Sequence, residues 1–138
     1  MGVNFEGKVQ ITRDTMVSAC YLGTAEHLIA ILSTPGMHAN KRYADTTPLV
    51  AAVRSHSVEI VRVVLDAGAD VDLKVGRGRK EMSPMDTVLK GVMPATNRIA
   101  IARLLLDRGA TLPEPSTWSA SHGYRALKGM FEDEEAKR

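Results

Sequence analysis

The segment from Thr47 to Asp72, which reads TPLVAAVRSHSVEIVRVVLDAGADVD, constrains the fold of this chain more than any other part of the sequence. Pro48 suits the first turn of a helix, because its missing N–H would have no partner there, and the Thr47 hydroxyl can cap that same turn. A second helix is indicated by four apolar residues at helical spacing, which give it one face to bury: Ile60, Val61, Val64 and Leu65. Gly68 can adopt the left-handed conformation that ends such a helix. The segment therefore predicts two short helices joined by a turn.

This segment resembles the ankyrin repeat, whose consensus TPLHLAARNGHLEVVKLLLEAGADVN aligns with it without a gap. The resemblance implies that Ala52 faces the partner helix, that residues 59–65 form the second helix, and that Gly68 begins the exit loop. It also implies a hairpin-like loop, called a finger, between successive repeats. We therefore expect an all-α fold, an ankyrin-repeat solenoid of stacked helix-turn-helix units.

Two less regular copies of the unit flank the central repeat, which we place at residues 47–82. Toward the N-terminus, alignment of Asp14 with Thr47 gives a first copy at residues 14–46, with Gly23 at its interhelical turn. Toward the C-terminus, alignment of Ser83 with Thr47 gives a third copy at residues 83–113, whose second helix is predicted at residues 99–110. The chain should therefore contain three helix pairs in succession.

The third copy carries two insertions relative to the consensus. About three residues lengthen the loop after Asp72, and about five, residues 92–96 (VMPAT), separate the two helices. Both should be loops, because Gly76, Gly78 and Pro94 are poor residues for a helix interior.

The two ends of the chain match the consensus less well. Residues 114–132 offer a short helix, a glycine turn at Gly123 and a second helix, so we expect a degenerate fourth repeat that caps the stack. The second helix of this cap would bury three side chains: Leu127, Met130 and Phe131. Residues 133–138 are expected to form a polar tail. Residues 1–13 have no match, and could be a loose arm, a cloning remnant or the worn second helix of an earlier repeat.

Length and composition agree with one helical domain inside a cell. A chain of 138 residues fits a single core, and its aromatic content of 4% favours closely packed helices over a β-sandwich. The single cysteine, Cys20, excludes an internal disulfide and fits a reducing compartment, so we expect the protein in the cytoplasm or nucleus. The sequence shows neither a signal peptide nor eighteen consecutive apolar residues, so membrane insertion is not expected.

The residues that could carry chemistry have simpler explanations. A thiol enzyme would need an imidazole within hydrogen-bond reach of Cys20, but Cys20 falls where the consensus has a small buried Ala, so we interpret it as a structural thiol. The four histidines lack the spacing of a zinc site. The glycine-rich string at residues 75–80 lacks the preceding strand and the capping Ser or Thr of a phosphate loop. We therefore expect no enzyme activity, no metal and no cofactor.

The most informative local feature is a basic segment that the resemblance places in the lengthened finger: Lys74, Arg77, Arg79 and Lys80. Partners of ankyrin repeats usually dock on the concave side, which the finger tips and the exposed face of each first helix form. The resemblance therefore implies the following partner-binding residues: Tyr21, Leu22, Tyr43, Thr46, Arg54, Ser55, Lys74, Arg77, Arg79, Lys80, Met82 and Lys90. Val50 and Asp86 depart from the consensus, which has His at both positions to brace the finger.

Basic residues interleaved with aromatic and apolar ones suit protein binding. We therefore predict a non-catalytic, monomeric protein–protein interaction module, an adaptor, scaffold or stoichiometric inhibitor, whose partner presents an acidic or phosphorylated segment. The alternative is nucleic-acid or anionic-lipid binding through the basic finger, although a net charge of +2 and a sequence pI near 8.8 do not by themselves imply nucleic acid. Three plainer alternatives stay open: the charges only keep a Gly-rich loop soluble, the chain is a structural piece of a longer protein, or it is an enzyme.

Overall fold

The computed structural model of the protein describes residues 11–43, 45–76, 81–112 and 124–136. Within these ranges the regular structure is helical, apart from one isolated β-bridge. The helices are α1 (Arg13–Leu22), α2 (Ala25–Leu32), α3 (Pro48–Arg54), α4 (Val58–Asp66), α5 (Pro84–Lys90), α6 (Ala95–Asp107) and α7 (Tyr124–Ala136). The predicted all-α fold is confirmed.

The helices pair and then stack in two layers. α1 packs on α2, α3 on α4 and α5 on α6, which gives three helix-turn-helix units in chain order. The inner layer consists of α1, α3 and α5, which contact one another in succession. The outer layer consists of α2, α4 and α6 in the same order, and α7 packs on α6. This arrangement is the predicted solenoid.

One hydrophobic cluster includes residues from every helix. Helix α3 lies in the middle of the stack, and its six residues from Pro48 to Val53 are all buried. At the far end, Leu127 and Phe131 of α7 are fully buried and Met130 is half-buried against the cluster, as predicted. A helix pair of this kind exposes an apolar face unless a neighbour covers it, so stacking supplies the core that a single pair lacks.

Local hydrogen bonds determine where the helices begin and end. A hydroxyl residue precedes each of five helices, and its side-chain oxygen accepts a hydrogen bond from a backbone N–H of the first turn: Thr12, Thr24, Thr47, Ser57 and Ser83. The predicted cap at Thr47 is confirmed, with 3.3 Å between Thr47 Oγ1 and the Val50 nitrogen. Gly68 and Gly109 follow α4 and α6 at φ of +97° and +92°, which confirms the left-handed conformation predicted for Gly68.

The two departures from the consensus histidine both have a structural explanation. Asp86 completes a capping box at the start of α5, because the Ser83 N–H donates to Asp86 Oδ2 at 3.0 Å and the Asp86 N–H donates to Ser83 Oγ at 3.1 Å. Val50 is fully buried in α3. Asp86 therefore stabilises the start of α5, and Val50 places an apolar side chain at a buried position.

Hydrogen bonds also connect the loop that follows one helix pair to the loop that follows the next pair. Asn40 Oδ1 accepts from the Asp70 N–H at 2.7 Å. Asp72, in the corresponding loop of the next repeat, has a similar arrangement, since its carboxylate accepts from the N–H and the hydroxyl of Thr111 at 2.9 and 2.8 Å. These bonds keep the loops in the same register as the helices.

Two helices extend beyond the bounds expected from the sequence. Helix α6 begins at Ala95, so the last two residues of the VMPAT insertion belong to the helix, and the prediction of a helix from residue 99 began it too late. Helix α7 continues to Ala136, so most of the expected polar tail is helical. In both places the added residues include good helix formers that prolong an existing helix, which requires no new turn. The expected N-terminal arm up to residue 10, and the short helix and Gly123 turn of the fourth unit, lie outside the described residues.

His56 adopts a backbone conformation that its residue type disfavours. Its φ is +65°, and it stands where the ankyrin consensus has Gly. The left-handed region costs an L-residue about 1–2 kcal/mol. The His56 carbonyl accepts a hydrogen bond from Asn97 Nδ2 at 2.7 Å, which joins the turn between α3 and α4 to helix α6. A contact from the next repeat therefore helps to hold the turn in this conformation.

We expect His56→Gly to raise the free energy of unfolding by roughly 0.5–1 kcal/mol, because Gly relieves the strain at positive φ but loses more chain entropy on folding. Ser55→Gly is the matched control, since Ser55 has φ −75° and should lose stability when replaced by Gly. Urea unfolding of both variants measures the difference. A His56→Gly protein less stable than wild type would mean that contacts of the imidazole outweigh the strain.

Candidate partner-binding face

The residues expected to contact a partner fall into two sets at opposite ends of the inner helices. Five lie at the C-terminal ends of these helices: Tyr21, Leu22, Arg54, Ser55 and Lys90. Four lie in the loops that precede α3 and α5: Tyr43, Thr46, Lys74 and Met82. Outside the described residues lie Arg77, Arg79 and Lys80.

The loop between the second and third helix pairs has a β-hairpin base, which agrees with the expected finger. The Val75 N–H donates to the Met82 carbonyl at 2.9 Å, and the Met82 N–H donates to the Val75 carbonyl at 2.8 Å. The residues that separate this pair, 76–81, are too many for a two-residue hairpin turn. Lys74 precedes the bridge and is exposed. The hairpin base thus fixes the two points from which the basic finger departs.

The finger base carries one more basic side chain than the sequence predicted. Arg42 is exposed, and its Nη2 donates to the Lys74 carbonyl at 3.0 Å, which brings a second basic side chain to this position. The acid Asp45, in the loop that precedes α3, is neutralised by Arg13, whose Nε and Nη2 lie 2.5 and 2.6 Å from its two carboxylate oxygens. The hydrogen bond from Arg13 holds the pKa of Asp45 below its usual value. Arg42 precedes Lys74 by about one repeat length, so the repeat register could have identified it.

Tyr43 and Thr46 have structural roles in the same loop. The Tyr43 hydroxyl donates to the Ile11 carbonyl at 2.7 Å, and its half-buried position raises the pKa of Tyr43. Lys41 Nζ lies 5.9 Å from the centroid of the Tyr43 ring, within the range of a cation–π contact. Thr46 is 2% exposed, and its carbonyl accepts the Tyr43 N–H at 2.9 Å. Thr46 is therefore buried, and the prediction that it contacts a partner is wrong.

The inner-helix ends form the more exposed set. Tyr21 is 50% exposed and Leu22 is 86% exposed, and their positions in α1 are equivalent to those of Arg54 and Ser55 in the next repeat. Arg54 and Lys90 stand in the last turns of α3 and α5, where a cation is stabilised by the helix dipole. Ser55 is half-buried, and its hydroxyl donates to a carbonyl of α3 at 2.6 Å. Stacking thus places two cations and two exposed apolar or aromatic side chains at equivalent helix ends.

The loop between α5 and α6 exposes an apolar residue that was not among the predicted partner-binding residues. Val92 is 80% exposed, whereas the adjacent Met93 is buried. The loop is held by Arg98 of α6, which is itself only 6% exposed. The Arg98 guanidinium donates to four main-chain carbonyls, those of Val88, Leu89, Gly91 and Met93, the last three at 3.4, 2.9 and 3.4 Å. Burial lowers the pKa of Arg98 from its usual value, and these carbonyl dipoles oppose that effect.

We expect Arg98→Met to lower the free energy of unfolding by roughly 2–4 kcal/mol, because Met fills similar space but leaves buried carbonyls without a donor. Arg98→Lys should recover only part of the loss, since an ammonium cannot reach four carbonyls as a planar guanidinium does. Thermal or urea unfolding of the three proteins checks the order. Equal stability of wild type and Arg98→Met would contradict this account of the loop.

Cys20 lies in the core and not at a reacting surface. It is 2% exposed, and its Sγ lies 3.9 Å from Met16 Sδ and 4.0 Å from the Pro48 carbonyl oxygen. Burial raises the pKa of Cys20 to about 12. Neither neighbour of the sulfur can take a proton from it, so this environment disfavours the thiolate that a nucleophile requires. The predicted buried structural thiol is confirmed.

We expect Cys20 of the folded protein to react with a thiol reagent at pH 8 at least about a thousandfold more slowly than in the unfolded chain, because a pKa near 12 leaves little thiolate. The rate of labelling with and without urea measures this protection. Similar rates in the two states would show that the sulfur is accessible in the native protein.

Within the part of the chain that the structure describes, no group of three or more His, Cys, Asp or Glu side chains is arranged to bind a metal ion. The described helices also include none with both the length and the hydropathy to cross a lipid bilayer.

Three stacked helix pairs with a shared core and a hairpin finger define a helical repeat protein. Residues 45–75 match the family model of the ankyrin repeat. The crystal structure of the human ASB11 ankyrin repeat domain superposes with a TM-score of 0.65 at 21% sequence identity, over 95% of this chain and 59% of that one, so the chain spans less than two thirds of its length. A comparison with curated proteins gave no match. Residues 45–75 are therefore an ankyrin repeat, and the fold of the chain is that of an ankyrin-repeat domain, as the segment from Thr47 to Asp72 predicted.

Proposed function

We propose that this protein is a monomeric interaction module that binds an acidic or phosphorylated segment of another protein through its concave face and its basic finger, and so acts as an adaptor, scaffold or stoichiometric inhibitor. Ankyrin repeats generally mediate protein–protein interaction, and their fold is typically non-catalytic. The observation that carries the proposal is the positive charge at the finger base, where Lys74 and Arg42 are both exposed and the Arg42 guanidinium donates to the Lys74 carbonyl.

The chemistry of the finger supports an anionic partner. Lys74 begins a basic run that continues in the sequence through Arg77, Arg79 and Lys80, with Glu81 as the adjoining acid. Carboxylates and phosphates form charge-assisted hydrogen bonds with Arg, which can bind them through two N–H groups at once. The buried thiol of Cys20 is consistent with a reducing, intracellular location, in the cytoplasm or nucleus.

The test compares partner recovery by wild type and by a finger variant in which Arg77, Arg79 and Lys80 are all replaced by Ser. Each protein is immobilised, exposed to a cell lysate, and the retained proteins are quantified by mass spectrometry. We expect specific partners with acidic or phosphorylated segments to be retained at least tenfold less by the finger variant, because the charges that recognise them are gone. Thermal unfolding should be unchanged.

The matched control removes the same number of charges from the outer side of the molecule, through joint Ser replacement of Arg62, Arg103 and Lys128, which are all exposed. This control should retain partners as wild type does. Equal retention by the finger variant would refute the role of the finger. Retention of duplex DNA or anionic vesicles at physiological salt, lost in the finger variant, would instead favour nucleic-acid or lipid binding, whose affinity falls steeply with salt.

A further inference from the structure

Leu22 and Val92 are the two most exposed of the large apolar side chains that the structure describes, and each is adjacent to a glycine that ends an inner helix. Helices α1 and α5 both end at a glycine, Gly23 and Gly91, whose N–H donates to the carbonyl four residues earlier at 3.1 and 2.8 Å. A Cβ on either glycine would lie 2.7 Å from that carbonyl oxygen. Leu22 precedes the first glycine and Val92 follows the second. Two tight turns, at the same end of the inner layer, thus leave an apolar residue in solvent.

We propose that these residues are the two ends of a docking surface for a short acidic segment of a partner protein that carries an apolar residue at each end. We call this surface the helix-end ridge, and its members are Tyr21, Leu22, Arg54, Lys90 and Val92. The inference rests on the proposed function in that the occupant is a protein segment. Four of its members were already expected on the concave face, so the inference deepens that proposal, and the ridge lies at the end of the inner helices opposite to the finger.

Charge complementarity identifies the middle of the occupant. Arg54 stands at the helix end between the two apolar residues, Lys90 stands beside Val92 at the end of α5, and both cations are exposed. The turn segments that form this end of the molecule, residues 21–25, 54–58 and 90–95, are all described and contain no Asp or Glu. Outside these turns, Asp14 lines a surface groove together with Leu22, and Asp45 interacts with Arg54 but is already paired with Arg13. A carboxylate between the two apolar ends would therefore meet cations and no acid from these turns.

The spacing of the inner helices sets the length of the occupant. α1 packs on α3 and α3 packs on α5, so the two apolar ends are separated by two helix-to-helix steps. Packed helices lie about 8–10 Å apart, which makes the separation roughly 16–20 Å. An extended peptide advances about 3.3 Å per residue, so about five or six residues span it. The segment that fits the ridge has apolar residues about five or six positions apart and acidic residues between them.

The ridge is also rigid at its Val92 end. Met93 is buried as an anchor, and Arg98 donates hydrogen bonds to the carbonyls on both sides of Val92, those of Gly91 and Met93. A loop that is already ordered loses little conformational entropy when a partner binds. Apolar side chains that are exposed on a rigid frame are effective contact residues for that reason.

The experiment selects peptides from a display library of random dodecapeptides on the intact wild-type protein. Enriched peptides are synthesised, and their affinities are measured by fluorescence anisotropy at low and physiological salt. The ridge variants are Leu22→Ser, Val92→Ser and the joint replacement of Arg54 and Lys90 by Ser. Ile29→Ser is the matched control, because Ile29 is an apolar residue 50% exposed on the outer helix α2. Circular dichroism and thermal unfolding confirm that each variant folds.

We expect the enriched peptides to share the acidic pattern with apolar residues about five or six positions apart. Leu22→Ser and Val92→Ser should each weaken binding at least tenfold, whereas Ile29→Ser should change it less than twofold. The joint cation variant should also weaken binding and reduce its dependence on salt. The proposal is overturned if no peptide is enriched, if the enriched peptides lack the pattern, or if Ile29→Ser weakens binding as much as the ridge variants do.

Comparison with the finger variant separates this inference from the proposed function. Loss of partner recovery in the finger variant, with peptides that ignore the ridge variants, would refute the ridge and leave the proposed function intact. Peptide binding that needs the ridge, with normal partner recovery by the finger variant, would refute the finger as the site and leave the ridge. If the finger variant recovers partners normally and the ridge variants bind peptides normally, the role of the finger and the ridge are both refuted.

Discussion

Helix α3 has seven residues, well below the length at which an isolated helix is stable in water. It persists because α1 packs on one side of it, α5 on another and α4 on a third, and this leaves its residues from Pro48 to Val53 buried. Each helix pair relies on its neighbours in this way, and the rest of the structure follows from that constraint. The stability of such a stack is approximately a sum over repeats and the interfaces between them, so a perturbation at one interface is felt first by the adjacent pair.

Aligned positions of the first and central helix pairs differ in polarity on one face of the first pair. Three buried positions of the central pair have exposed polar counterparts at the equivalent positions of the first pair: Pro48 and Thr15, Ala51 and Ser18, Ile60 and His27. The backbone positions are equivalent, but the central pair has a neighbour on this face and the first pair presents it to solvent. A change of side-chain polarity, with no change of helix arrangement, is therefore sufficient to end the apolar interface.

Features that are determined within one helical turn could be predicted from the sequence. Thr47 caps α3 and Gly68 follows α4 in the left-handed conformation, because the chemistry of both depends on adjacent residues alone. The positive φ of His56 could also have been inferred, since the aligned consensus has Gly there. The structure of the VMPAT insertion was harder to predict, because Ala95 can belong to a helix as readily as to a loop. Packing against the rest of the stack decides between the two. Arg98 gave no signal, because its four carbonyl acceptors come together only when the loop has folded.

The candidate site was predictable to a similar extent. Exposure of Tyr21 and Leu22 followed from their register with the central repeat, which depends on the helical period. Thr46 is buried although its position was expected to contact a partner, because the loop before α3 closes over it with a hydrogen bond to the Tyr43 N–H. Val92 was missed because a consensus has no position for an inserted residue. A single repeat pattern thus describes what all repeats share, and the features that distinguish this chain lie where the pattern is interrupted.

The finger and the loop after α5 differ in the free-energy cost of keeping their cations. This difference bears on which of the two contacts a partner. Lys74 and Arg42 at the finger base are exposed and solvated, so keeping them costs little whether or not a partner binds. Arg98 is different, because burying a guanidinium against neutral carbonyls carries a desolvation penalty that is recovered only through hydrogen bonds. The turn between α3 and α4 needs only three residues and no buried charge. The turn between α5 and α6 is one residue longer, and Arg98 satisfies its carbonyls, so the stability of the stack accounts for the buried cation. Stability does not account for Val92 in solvent, and that is the observation that the docking surface proposed above explains.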